Sequence, residues 1–187
     1  MSLLRRYQSE IYGNYRLAYT QYGLVAGALM ALYFLFFSII GKPHATPTTY
    51  GTDLLLLIVI LVGAYRYRKS LAEGRVSFKE LMLLGLGTGF VAAVVYGLYI
   101  YLHLSVIYPD QVTLMCDNEV AMIRENCTEA MSGEVATCQQ KIDIVASFGA
   151  GAWAFRGGFL SGVFSILMAF IAALLFKTEM KRKPKQS

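Results

Sequence analysis

Three cysteines, Cys116, Cys127 and Cys138, recur at intervals of eleven residues. On one straight α-helix, neighbours in such a series lie about 16 Å apart. A disulfide needs its Cα atoms within about 7 Å, so an unbroken helix keeps all three as thiols. A turn between Ser132 and Gly133 would instead set Cys127 opposite Cys138. An oxidising compartment would then join that pair and leave Cys116 spare. Two readings stay open here: a Cys127–Cys138 bridge, or three thiols buried on a packed face. Asn126-Cys127-Thr128 also fits a glycosylation sequon, which a bridge at Cys127 would hinder.

A second constellation is Tyr96, Tyr99 and His103, spaced i, i+3 and i+7 and so on one helix face. It is a candidate polar pocket around a titratable imidazole; the alternative is a histidine that is interfacial or simply hydrogen-bonded. Arg156 and Asp53 could pair, or Asp53 could cap its helix, since a carboxylate suits a helix N-terminus. The chain has no Cys-x-x-Cys, no phosphate-binding glycine loop, no His-Glu-x-x-His and no nucleophile elbow. His44 and His103 are too few and too isolated to hold haem or paired metals. The expectation is a non-enzyme with no catalytic, cofactor or metal residues.

The elements that carry these residues are read from composition. Of 187 residues 56% are hydrophobic and 16% charged, against about 45–50% and 25% in soluble domains. Mean hydropathy is +0.50. These values exclude disorder, a nucleic-acid module and a conventional soluble enzyme. Four stretches are long and apolar enough to cross about 30 Å of hydrocarbon: 22–40, 48–65, 81–107 and 157–176. The second is the weakest, because its apolar core is only Leu54 to Tyr65. The first run follows twenty-one residues and precedes no small-residue cleavage site, so it reads as a span and not a signal peptide. None of the four carries Asp, Glu, Lys or Arg at its middle, where proton- or sodium-coupled carriers normally need one. The expected fold is all-α: a polytopic membrane protein, one domain over 1–187, with four transmembrane helices, an amphipathic N-terminal helix and an outer helical hairpin.

Basic residues give an orientation. Thirteen of the 17 Lys and Arg fall in the N-terminal segment, in the loop between spans two and three (Arg66, Arg68, Lys69, Arg75, Lys79) and in the tail. Four spans put those segments on one side, so both termini are expected in the cytoplasm of a bacterial inner membrane. The loop 108–156, with seven acids, then faces outward. Its segment 110–147 repeats apolar residues every three or four positions (Val112, Cys116, Val120, Ile123, Cys127), an apolar helical stripe. Residues 3–19 show the same spacing at Leu4, Tyr7, Ile11, Tyr15 and Ala18. They read as an amphipathic helix on the inner leaflet, or as an extension of span one.

Small residues recur at i, i+4: Gly23 and Gly27, Gly85 and Gly89, Gly158 and Gly162. Such faces let helices approach closely, either within the protein's own bundle or between copies. Gly23, Gly27 and Ala31 also match Gly85, Gly89 and Ala93 in spacing. That faint duplication would make two helix pairs parallel repeats. Ser77, followed three residues on by Glu80, is a capping box for the third span.

With the spans placed, the chain resembles an uncharacterised bacterial membrane family, domain of unknown function 4199. The resemblance rests on Tyr22-Gly23-Leu24-Val25-Ala26-Gly27, Gly74-Arg75-Val76-Ser77-Phe78-Lys79-Glu80 with Gly85-Leu86-Gly87-Thr88, Tyr108-Pro109-Asp110, and Gly162-Val163-Phe164-Ser165-Ile166 with Lys177. It implies four spans with a polar helical segment between the last two. It carries no activity and no functional residues. The three cysteines fall outside its pattern.

The expected role is an accessory, assembly or scaffold component acting through helix packing and the outer segment. The alternative is a small oligomeric transporter or channel built from two helix pairs, and a third reading is a thiol-redox enzyme. Expected partners are the lipid bilayer and a second copy or another membrane protein; no nucleic acid and no cofactor is expected.

Overall fold

The structure, a computed structural model, describes residues 15–42, 46–71, 76–128 and 135–177. Its elements are α1 (Tyr15–Ile39), α2 (Thr46–Ser70), α3 (Phe78–Leu102), a π-helical turn (His103–Ile107), α4 (Asp110–Thr128), α5 (Val135–Ala146) and α6 (Ala150–Phe176). There is no strand among the described residues.

Four helices are long and apolar enough to span a bilayer: Arg16–Ile39, Tyr50–Ser70, Phe78–Ile107 and Ala150–Phe176. The helices overrun the apolar stretches: α1 begins at Tyr15, α3 at Phe78 and α6 at Ala150, and α2 continues to Ser70. Arg66, Arg68 and Lys69 continue α2, where cations suit a helix C-terminus. At the start of α6, Arg156 lies inside the helix. Asp53 sits at the eighth position of α2 and does not cap it. The capping box is present: the Glu80 N–H donates to Ser77 Oγ at 3.2 Å, and the Ser77 N–H donates to Glu80 Oε2 at 2.9 Å. Of the proposed amphipathic segment 3–19, residues 3–14 lie outside the described residues, and Tyr15–Tyr19 open α1. The proposed turn at Ser132-Gly133 also lies outside them.

The bundle is built around α3, which packs along α1 on one side and α6 on the other, while α2 closes against α1 and α6. Its outer surface differs from that of a soluble protein, while its core mixes small residues with Met30, Leu56, Leu81 and Leu84. Small residues face inward: Ala18, Ala26, Ala92, Ala169, Ala172 and Ala173 are all fully buried. Large ones face outward, including Leu32, Phe90, Leu98, Phe155, Leu167 and Leu175. Water would penalise that shell, whereas hydrocarbon accepts it.

The glycine pairs face inward. A Cβ on Gly23 or Gly27 would meet Val91 or Val95 of α3. One on Gly85 or Gly89 would meet Ala169 or Ser165 of α6, and one on Gly158 would come within 3.0 Å of the Ala93 carbonyl. Gly162 has only Ala93 Cβ near, at 3.8 Å. The matched pairs therefore meet different partners: α1 glycines meet α3, and α3 glycines meet α6. Two equivalent helix pairs would place them alike.

Candidate functional site

Three local breaks in the helices converge at the end of the bundle that carries α4 and α5. Helix α1 stops in a Schellman turn. Gly41 adopts φ +73°, a left-handed conformation that suits glycine. The Lys42 N–H donates to the Phe37 carbonyl and the Gly41 N–H to the Ser38 carbonyl, at 2.8 and 3.0 Å. Helix α3 relaxes into the π-turn, closed by the Tyr108 N–H donating to the His103 carbonyl at 2.8 Å. Pro109 then disfavours helical geometry at Tyr108, and α4 starts at Asp110. The result sets Ser38, His103 and Gln111 against one another.

His103 is fully buried and Ser38 nearly so. The imidazole Nε2 lies 2.7 Å from Ser38 Oγ and 3.3 Å from Gln111 Oε1. Its Nδ1 lies 3.1 Å from the Tyr99 hydroxyl. Ser38 Oγ donates to Gln111 Oε1 at 2.6 Å, and Gln111 Nε2 donates to the Ser38 carbonyl at 3.3 Å. These bonds assign the proton positions by elimination. The Ser38 carbonyl can only accept, so it fixes which end of the Gln111 amide is nitrogen. Gln111 Oε1 then takes the Ser38 proton. Ser38 Oγ must therefore accept from the imidazole, which carries its proton on Nε2 and accepts from Tyr99 on Nδ1. Each of these bonds then has one donor and one acceptor. In this arrangement the Ser38 proton points to an amide oxygen and not to the imidazole, so the ring does not act on it as a base.

Of the three residues grouped by sequence, Tyr99 and His103 meet and Tyr96 does not join them. Phe34 of α1 packs edge-on against all three, with centroids 6.3 Å from Tyr96 and Tyr99 and 5.4 Å from His103. The Tyr96 hydroxyl instead hydrogen-bonds the side chain of Thr52 on α2. Shared helix face was right as geometry, but a ring from α1 divides it.

The α4–α5 hairpin has three further ties. Cys127 and Cys138 are disulfide-bonded, with Cα atoms 6.2 Å apart. Cys116 is a buried free thiol whose Sγ donates to the Phe148 carbonyl at 3.5 Å. Arg156 pairs with Glu119 of α4 at 2.7 Å, not with Asp53, and its guanidinium stands 5.3 Å from the centre of the Trp153 ring. Trp153 in turn packs edge-on against Phe148.

Two polar positions in the middle of the spans are packed against neighbouring helices. Thr88 and Ser165 are buried, Ser165 Oγ donates to the Gly162 carbonyl at 2.6 Å, and its side chain abuts Gly89. On the lipid-facing side, a furrow of about 660 Å³ runs between α3 and α6 over Gly97 and Gly158, walled by Phe90, Phe155 and Phe159. No group of three or more His, Cys, Asp or Glu side chains among the described residues is placed to hold a metal ion.

A bundle of four long apolar helices with large apolar side chains over its outer surface defines an integral, multi-pass membrane protein. The chain belongs to the family described as protein of unknown function (DUF4199), which matches residues 21–178. Neither a curated protein nor a solved structure matches it.

Proposed function

We propose that this protein is a non-enzymatic accessory or assembly component of a bacterial inner membrane, acting through the α4–α5 hairpin. Both ends of the chain lie in the cytoplasm and the hairpin lies outside. The lopsided distribution of Lys and Arg supports that orientation. A disulfide at Cys127–Cys138 suits an oxidising exterior.

The single observation behind the role is that a polar, acidic hairpin is tied to the bundle at two points. Gln111 ties it to α1 and α3, and Glu119 ties it to α6. A hairpin serving only as a connector would need neither anchor. Held this way, it presents a fixed surface with Leu114, Met122 and Ile144 exposed. A passage through a single copy fits less well, because glycine contacts close α3 onto α1 and α6 along the core.

The test is photocrosslinking in native membranes, with the crosslinker placed at Met122 or Ile144 and, as control, at Lys177. A discrete adduct from the hairpin positions is expected. Hairpin positions that yield only lipid adducts would contradict the role.

A further inference from the structure

We infer that His103, with Ser38 and Gln111, forms a proton-sensitive latch that holds the α4–α5 hairpin against the bundle and opens it on acidification. The inference concerns the hairpin's position. It stands whether or not the hairpin has a partner, because its test reads docking and not capture.

The argument begins with the closed hydrogen-bond circuit. Gln111 is the only α4 side chain in it, and it bonds α1 through the Ser38 hydroxyl and carbonyl and α3 through the imidazole. The circuit is complete with a neutral imidazole protonated on Nε2. A second proton, on Nδ1, would make Tyr99 and the imidazole both donors across 3.1 Å. The phenol would have to turn its O–H away from its acceptor, and a charge would enter a fully buried site.

Nothing around the ring offsets that charge. Phe34 and Ser38 come from α1, Tyr99 from α3, Tyr108 from the link and Gln111 from α4. The titratable groups among them are two phenols. Asp110, the nearest acid along the chain, is exposed, as is Lys42 beyond the α1 terminus. The Ser38 carbonyl at the negative end of α1 already accepts from Gly41 and Gln111.

Opening would take place at the link: the π-turn His103–Ile107 and Pro109 separate α3 from α4, and π-turns are frequent at functional sites. Protonation thus favours the undocked hairpin, in which the imidazole meets water. Docking is complete above the ordinary imidazole range, about pH 6.5, and weakens as pH falls through it.

The chain supplies its own reporter. With Cys127 and Cys138 bonded, Cys116 is its single free thiol, five residues along α4 from Gln111 and buried. The full-length protein in nanodiscs is treated with dithiodipyridine, which reacts with thiols on both sides of neutrality. The rate is divided by that of the denatured protein at the same pH, so that ionisation of the thiol cancels. Protection of Cys116 should fall as the pH is lowered from roughly 8 to roughly 5. His103→Gln, whose amide can still donate to Ser38 and accept from Tyr99, should flatten the profile. Glu119→Gln should keep it, and Gln111→Leu should lower protection at both ends. A flat wild-type profile, or the same fall in His103→Gln, would overturn the latch. If His103→Gln does not fold, the imidazole 15N shifts of the wild type decide the matter. Conversion of a neutral Nε2–H ring to imidazolium must track the loss of Cys116 protection; titration of one without the other contradicts the proposal.

Discussion

Arg156 and Glu119 lie 37 positions apart in sequence and 2.7 Å apart in space, joining the start of α6 to the middle of α4. The arginine side chain is 37% exposed and the glutamate 14%. Solvent therefore screens the pair, and its worth is about 1 kcal/mol or less. Glu119→Gln and Arg156→Met should each destabilise the protein modestly, and a double-mutant cycle should return a coupling of about that size. Thermal unfolding in detergent would measure it. The sole tryptophan, Trp153, supplies the local readout: its emission should shift to the red when Arg156 is removed from its face.

The glycines divide sharply by position. A side chain at Gly89 would run into Ser165, and one at Gly85 would meet Ala169, whereas nothing lies within 4 Å of a Cβ at Gly151. Gly89→Leu should cost at least about 1–3 kcal/mol, the usual range for overpacking. Gly151→Leu should leave stability near the wild type. Comparative unfolding of the two variants checks the α3–α6 seam directly.

Cysteine content gives a prediction of number. Alkylation of the denatured, unreduced protein should modify one cysteine, Cys116, and reduction should raise the count to three. Mass spectrometry reads both values. The closed loop is short, so replacing Cys127 and Cys138 with serine should cost no more than about 3 kcal/mol. The loss should be confined to the hairpin.

Gly41 is the described residue whose backbone requires glycine, at φ +73°. Gly41→Ala should cost about 1–2 kcal/mol. It should also disturb the node through Ser38, whose carbonyl receives the Gly41 N–H. Tyr99→Phe removes only the donor to His103 Nδ1 and should cost about 1 kcal/mol. Melting temperatures of the two variants should rank Gly41→Ala at or below Tyr99→Phe.

Much of the fold could be read before the structure, because lipid imposes long apolar runs that need no tertiary information. Even the short apolar core at Leu54–Tyr65 sits in a helix of 25 residues. The candidate site was less legible. Tyr99 and His103 share a face by helical spacing, but spacing is blind to a ring from another helix, and Phe34 sends Tyr96 elsewhere. Ser38 and Gln111 were missed. One signal pointed to Ser38: it is the only serine in the stretch 22–40, which has no charged residue. Gln111 offered none, since one amide in a polar segment resembles any other. Arg156 and Asp53, both at outer starts of spans, could pair by position, with capping by Asp53 as the alternative. The sequence did not reveal that α4 would bring Glu119 closer.

The central claim is a chain that crosses lipid four times and exposes the hairpin on the face opposite its basic loop. Single cysteines at Asp117 and at Lys79, each in a Cys116→Ala background, test it with a membrane-impermeant maleimide on intact cells. The account predicts that Asp117→Cys labels at once and Lys79→Cys only after the membrane is opened. Equal labelling of the two in intact cells, or a protein that stays in the soluble fraction without detergent, would contradict it.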